Sequence, residues 1–372
     1  MIKYSFKSVY RKVMNKERYI GIMSGTSLDG VDVVLCEIDK KSCLLKASVE
    51  YPFPDDLKKE ILSMINGKCT LAQVGSVDVR LGILFSDAVN ALLEIEKIDP
   101  KSIKAIGSHG QTLWHEPVGK YPFSMQLGDP SAIAVRTGIK VVADFRQKDM
   151  ALGGQGAPFA PAFHAFLFGG TDASVSILNI GGMANITVLG KTLLGYDTGP
   201  GNVLMDMWVA EHKDVTYDRN GEWARSGEVI YPLLEAMLED PYFSQPHPKS
   251  TGREKFNEAW LQKHLNAQHS TLNAHDVQRT LLELTAVSIS NEVLKFNQDI
   301  LLLCGGGAKN AFLVERLGTL MPNIQIGIAN DADNIEAMTF AWLAYKRLHN
   351  EHVDLKDVTG ARQNAILGGV YV

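Results

Sequence analysis

Residues 19–38 read YIGIMSGTSLDGVDVVLCEI. A short apolar strand (Tyr19, Ile20, Ile22) enters a small-residue turn of Ser24, Gly25, Thr26 and Ser27. After Asp29 and Gly30 a second strand, apolar almost throughout, leaves through Val31, Val33, Val34 and Leu35. Two strands joined by a Gly/Ser/Thr tip make a hairpin. Such a tip carries little side chain and several free backbone N–H groups, which lets it approach a phosphate closely. Asp29 and Asp32 place carboxylates where a phosphate-bound Mg2+ would sit. An ordinary hairpin with a polar turn accounts for these residues equally well.

The chain then repeats the device. Residues 175–189, VSILNIGGMANITVL, run a strand into Gly181-Gly182 and out into a β-rich strand, a strong hairpin signal. Residues 301–309, LLLCGGGAK, follow a buried-looking strand with Gly305, Gly306 and Gly307 and open an amphipathic helix built on Ala311, Phe312, Val314 and Leu317. Two hairpins and one strand–Gly–helix turn, in that order, lay out a nucleotide clamp with a phosphate hairpin in each of two lobes. A Rossmann domain would show G-x-G-x-x-G after its first strand and before a helix, whereas here the first glycine turn leads into a strand. No G-x-x-x-x-G-K-[ST] phosphate loop occurs.

Composition sets the bounds. With 372 residues, 45% of them hydrophobic, the chain can fill two cores. A net charge of −5 argues against a general electrostatic grip on nucleic acid. Cys36, Cys43, Cys69 and Cys304 lie far apart with no C-x-x-C pair, which fits a reducing cytoplasm rather than a disulfide or zinc framework. No apolar run is long enough to span a bilayer, and the basic, aromatic first residues (Lys3, Tyr4, Phe6, Lys7) have no apolar segment of a secretory signal.

Strands and helices alternate, which predicts α/β architecture. Helices are expected over 55–64, 71–95, 272–296 and 335–348, with strands at 47–51, 103–108 and 140–143. Asp129-Pro130-Ser131 should open a helix. Residues 144–161, DFRQKDMALGGQGAPFAP, are Gly- and Pro-rich and read as a crossover between lobes and a hinge. The lobes are therefore expected at 1–144 with 362–372, and at 145–361. Thr251-x-x-Glu254 matches a capping box.

Among residues able to do chemistry, Asp197 stands out. It lies in LGYDTGPGNVLMD (194–206), read as ending a strand, with Gly199 and Gly201 leaving space around it and Thr198 or Asn202 placed to cap the next helix. An Asx-turn is the bland alternative. Its place just after the second hairpin favours a carboxylate that takes a proton or orients an attacking oxygen beside a γ-phosphate. In Asp144-Phe-Arg146-x-x-Asp149, Arg146 can bind a substrate carboxylate or spread transition-state charge, and an Arg146–Asp149 surface pair explains the spacing nearly as well. His109 and Gln111 follow a strand at its carboxyl end, where α/β sheets bind ligands. The His109, His115, Glu116 spacing fits no helical metal motif. Glu336 starts a helix, chiefly as an N-terminal charge, with a role at the sugar or Mg2+ as the minority reading.

Together these segments resemble the anhydro-N-acetylmuramic acid kinases. The likeness runs from about Tyr19 to the C-terminus and rests on IGIMSGTSLDGVDVVL, IGSHGQTLWHEP, VVADFRQKDMALGGQGAPFAPAFH, LNIGGMANITVL, GYDTGPGNVLMD, KSTGREKFN and LLCGGGAKN, in that order. It implies the two-lobed sugar kinase/Hsp70/actin-like (ribonuclease H-like) fold with an interlobe nucleotide cleft. It also implies a cytoplasmic enzyme of peptidoglycan recycling that uses ATP and Mg2+ to open a 1,6-anhydro ring and phosphorylate O6, with a homodimer as a further expectation. The resemblance maps the nucleotide-phosphate segment onto Gly25, Thr26, Ser27, Leu28, Asp29, Gly30, Val31 and Asp32, with Asp29 facing Mg2+ through ATP. Gly181, Gly182 and Gly305–Gly307 complete the nucleotide site. Asp197 is the expected catalytic residue, with His109, Gln111, Arg146, Asp149, Gly199, Asn202 and Glu336 toward the sugar. The rival readings are a kinase of the same fold for another sugar, and a non-catalytic nucleotide switch of the Hsp70/actin kind. The segment ahead of Tyr19 is longer than the family pattern, and Lys148 stands where some members carry arginine.

Overall fold

The computed structural model describes residues 16–25, 28, 30–67, 69–170, 173–247, 249–268 and 272–372. Thr26, Ser27 and Asp29, expected at the nucleotide phosphates, lie outside them, as do the basic residues ahead of position 16. The chain divides into two compact units, one of residues 168–333 and one that joins the segment up to Leu167 with Asn334–Val372.

In chain order the strands are β1 Glu17–Ser24, β2 Gly30–Asp39, β3 Ser42–Pro52, β4 Ile103–Ser108, β5 Gln111–Glu116, β6 Phe123–Leu127, β7 Val141–Ala143, β8 Val175–Ile180, β9 Met183–Leu189, β10 Leu194–Pro200, β11 Ile300–Cys304, β12 Gln325–Ile328 and β13 Gly369–Tyr371. The unit carrying the N-terminal strands has a six-stranded sheet in the order β13-β7-β4-β1-β2-β3, with β5–β6 as a separate hairpin. The 168–333 unit has a five-stranded sheet, β10-β9-β8-β11-β12. Each sheet holds an antiparallel three-strand meander whose first strand pairs in parallel with a later one. The run β3-β2-β1-β4-β7 in one unit thus has the same order as β10-β9-β8-β11-β12 in the other. This is the two-unit, ribonuclease H-like α/β architecture expected from the paired glycine-tipped hairpins.

Local chemistry sets the helices. Thr70 and Gln73 form a reciprocal capping box that starts the helix Leu71–Ile95, and Val77, Leu81, Phe85, Val89 and Leu92 bury its inner face. Asp129 accepts the Ser131 N–H and Pro130 opens the helix Pro130–Thr137. The helix Ala274–Val293 fills the core of its unit with Leu281, Leu282, Leu284 and Ile289.

Three expectations are corrected. Residues 145–167 and 334–361 belong with the N-terminal strands, not with the second lobe. The reason for the later segment is steric: the helix Ile335–Leu348 lies directly on β1 and β4, which meet it through glycine. A Cβ at Gly21 would sit 1.9 Å from the Ala337 carbonyl oxygen, and one at Gly107 1.9 Å from that of Phe340. The Gly/Pro-rich segment 144–161 is not an open crossover. It begins with the helix Phe145–Ala151, and the buried Asp149 ties down the turn that follows by accepting the Gly156 N–H at 2.8 Å and the Thr359 hydroxyl at 2.8 Å. The Thr251–Glu254 capping box does not form, since the helix there starts at Glu258 with Asn257 as its cap.

Candidate active site

In the 168–333 unit the glycine turns gather at one end of the sheet. β8 and β11 run parallel, and β10 runs the same way two strands over. Their carboxyl ends deliver Gly181-Gly182, Gly305–Gly307 and Asn202. The Gly181 and Gly182 carbonyls accept N–H bonds from Asn202, Gly201 and Val203 at 2.8 to 3.1 Å, which welds this turn to the start of the helix Val203–Lys213. Asn202 Nδ2 also donates to the Ile180 carbonyl at 3.3 Å, so Asn202 links the turns instead of capping the helix. Thr198 likewise caps nothing, because its hydroxyl donates to the Ala184 carbonyl.

The glycines have different reasons. A Cβ at Gly305 would strike Asn179 Oδ1 at 2.3 Å, and one at Gly307 would strike Ile180. At Gly306 the nearest atom is Asn202 Nδ2, 4.0 Å away, and at Gly182 it is an Arg253 guanidinium nitrogen, 3.9 Å away. Gly182 and Gly306 therefore present open backbone, which is what a phosphate or ribose requires. Gly199 and Gly201 do not leave room beside Asp197 as expected. A Cβ at Gly199 would meet the Phe243 ring at 2.8 Å, and one at Gly201 the Gly181 carbonyl oxygen at 2.4 Å.

Asp197 lies within β10, three residues before its end, where the pairing with β9 shifts register. Its N–H donates to the Lys249 carbonyl at 3.1 Å, and its own carbonyl accepts the Tyr242 hydroxyl at 2.7 Å. Its Oδ2 accepts the Ser250 hydroxyl at 2.9 Å and the Thr251 N–H at 2.9 Å. Burial pushes this carboxyl above the usual carboxylate range. The Thr251 and Ser250 hydrogen bonds oppose the rise, and the neighbouring Glu254 adds to it. Beneath the segment 249–251, Lys249 Nζ pairs with Glu292 at 2.6 Å in full burial, and Glu292 also accepts the Tyr196 hydroxyl.

In the other unit a second cluster forms at the carboxyl ends of β1 and β4. Ser24 donates to Gln111 Oε1 at 2.7 Å, both buried. The Leu28 N–H donates to the Gly25 carbonyl. The buried His109 packs against Phe340 at a tilt, with ring centroids 4.8 Å apart. Its Nδ1 lies 2.7 Å from the Gly110 carbonyl oxygen and its Nε2 2.9 Å from Arg146 Nη2. A carbonyl can only accept and a guanidinium can only donate, so the proton is on Nδ1 and Nε2 is the acceptor. Burial, reinforced by the Arg146 charge, pushes the imidazole down to about 3 and keeps it neutral. Burial lowers Arg146 to about 10, so it stays charged, and its Nε is buried without a hydrogen-bond partner among the described residues. The Arg146–Asp149 surface pair does not exist, because both Asp149 oxygens serve Gly156 and Thr359. Asp149 thus ties the Gly156 turn to Thr359. Glu336 is exposed in the first turn of its helix.

The family described as Anhydro-N-acetylmuramic acid kinase matches residues 17–372. The chain belongs to this family. The anhydro-N-acetylmuramic acid kinase of Sulfurimonas denitrificans is 50% identical over 365 residues, covering 95% of this chain and 99% of that protein. The protein of the same name from Photobacterium profundum is 52% identical over 371 residues, covering 95% and 98%. Membership in a kinase family makes the chain an ATP-using enzyme and disfavours both the nucleotide switch and a kinase for a different sugar. Among the described residues no helix is long and apolar enough to cross a membrane.

Ser250, Tyr242 and the Lys249–Glu292 pair escaped the sequence reading, and Thr251 entered it only as a helix cap, although KSTG carries part of the family likeness. The only signal was that an S/T-x-x-E pattern ended without an apolar run to follow it, which is a poor start for a helix.

Proposed function

We propose that the protein opens the 1,6-anhydro bond of anhydro-N-acetylmuramic acid with water while transferring the γ-phosphoryl group of ATP to O6. The products are N-acetylmuramic acid 6-phosphate and ADP. The observation that supports this reading best is the state of Asp197: a carboxylate with one oxygen held and its basicity raised, three residues before the end of β10, in the sheet whose same end carries the open glycines 182 and 306.

On this reading Asp197 takes a proton from water as its oxygen attacks C1. The C1–O6 bond breaks, its electron pair stays on O6, and O6 takes the phosphoryl group as ADP leaves. An inverting glycosidase needs a second carboxyl to protonate its leaving oxygen. Here phosphorus takes the place of that proton, so one carboxylate suffices. Gly181, Gly182 and Gly305–Gly307 would line the nucleotide, with Gly25–Asp32 as a further phosphate segment. Among the described residues no cluster of three or more His, Cys, Asp or Glu forms a metal site. Mg2+ would come with the nucleotide and neutralise phosphate charge, and Asp29 and Asp32 are the carboxylates proposed to face it.

Arg146 is a half-buried cation with a buried Nε, and among the described residues it meets a neutral imidazole and no carboxylate, an arrangement that suits a carboxylate arriving with the substrate. The lactyl group of the amino sugar supplies one. Arg146→Met is expected to raise KM for the sugar by about 10- to 100-fold, the range for a lost charge-assisted hydrogen bond, with KM for ATP unchanged. An unchanged sugar KM would remove Arg146 from the binding site.

The reaction is tested by turnover in H2(18)O with product mass analysis. One heavy oxygen is expected at C1 and none in the phosphate. Heavy oxygen in phosphate alone would mean simple ATP hydrolysis and would overturn the proposal, as would product without label.

A further inference from the structure

The segment 249–251 makes an unusual set of contacts with one residue. Its first carbonyl accepts the Asp197 N–H, its second residue donates a hydroxyl to Asp197 Oδ2, and its third donates a backbone N–H to the same oxygen. Both donors converge on Oδ2, and no described residue donates to Oδ1. The segment is itself fixed from below. Lys249 Nζ reaches Glu292 at 2.6 Å and the Tyr242 and Phe243 carbonyls at 3.3 and 3.4 Å, over the Tyr242 ring. A carboxylate with two donors on one oxygen has its rotation stopped and its other oxygen singled out.

From this geometry we infer that Ser250 is a positioning residue: with the Thr251 N–H it locks Asp197 Oδ2 and leaves Oδ1 as the atom that accepts the proton. The inference rests on the proposed role of Asp197 as general base. Ser250 also sets where that base titrates. Its hydroxyl stabilises the ionised form, so removing it raises the pKa and moves the acid limb of the rate profile to higher pH. The other groups facing Asp197 are Glu254 on the same segment and Tyr242 on the helix Pro241–Ser244. The Lys249 charge is held by Glu292 of the helix Ala274–Val293, and Glu292 in turn holds Lys295. Ser250 itself is exposed, and its hydroxyl bonds none of these groups.

The experiment compares kcat against pH for the parent, Ser250→Ala, Ser250→Thr and Asp197→Asn. Ser250→Ala is expected to shift the acid limb upward by about one pH unit, the scale of one hydrogen bond to a charged group, with KM for ATP unchanged. Ser250→Thr keeps a hydroxyl and should restore the parental limb. A Ser250→Ala limb that overlays the parent, while Asp197→Asn is inactive, overturns the positioning role and leaves the base assignment standing. A shift that Ser250→Thr reproduces assigns the effect to shape and also overturns it. An active Asp197→Asn overturns the base assignment and this inference together.

Discussion

Asp197→Asn is expected to bind ATP normally and to lose turnover by about three orders of magnitude or more, the combined scale of lost proton transfer and lost water positioning. The exchange is nearly isosteric, and an amide oxygen can still accept from Ser250 and Thr251. What it cannot do is take a proton. The stability change separates this loss from misfolding. The carboxyl holds its proton more tightly in the folded chain than in the unfolded one, where its pKa is about 3.9. The folded state therefore pays no penalty below that pH, and a penalty that grows as the pH rises through the folded value and then stays constant. At neutral pH the neutral amide escapes it. Asp197→Asn should melt at the same temperature as the parent or higher. Turnover close to the parent would reject Asp197 as the base, whatever the melting temperature.

Gly107→Ala is expected to destabilise the protein by roughly 3 kcal/mol or more, at the upper end of overpacking costs. The added methyl would lie 1.9 Å from the Phe340 carbonyl oxygen, and neither β4 nor the helix Ile335–Leu348 can yield without lifting the helix off the sheet. Gly21→Ala meets Ala337 at the same distance and should behave alike. The same chemical change has the opposite sign at Gly75, which is exposed within the helix Leu71–Ile95 with nothing within 4 Å of a Cβ. There alanine should add about 0.5 to 1 kcal/mol through helix propensity. Urea titration of the variants checks all three, and a Gly107→Ala midpoint equal to the parent's would refute the close packing of helix on strand.

Much of the fold was legible because its signals are local. The hairpin at Gly181-Gly182, the helix opened by Asp129-Pro130 and the stripe of Val77, Leu81 and Phe85 each need only neighbouring residues to define them. The site was legible in part. Residue type and place at a strand–turn junction pointed to Asp197, His109 and Arg146, and the last two do meet. The same local logic misread Thr251, Asp149 and Asn202, whose side chains or N–H groups could serve a cap, an ion pair or a turn within their own segment. Each found its partner elsewhere.

The sequence alone determined the elements, the order of the three glycine turns and the identity of the acid on β10, since backbone preference and apolar periodicity are properties of short windows. Tertiary structure decided the rest. It seated the helix Ile335–Leu348 on the N-terminal strands through two glycines, bound Asp149 to Thr359 across 210 positions, and brought Ser250 and Thr251 to Asp197 across 53 and 54. These pairings follow from which polar groups are left to satisfy each other once the cores have closed, and that is settled only when the whole path of the chain is fixed.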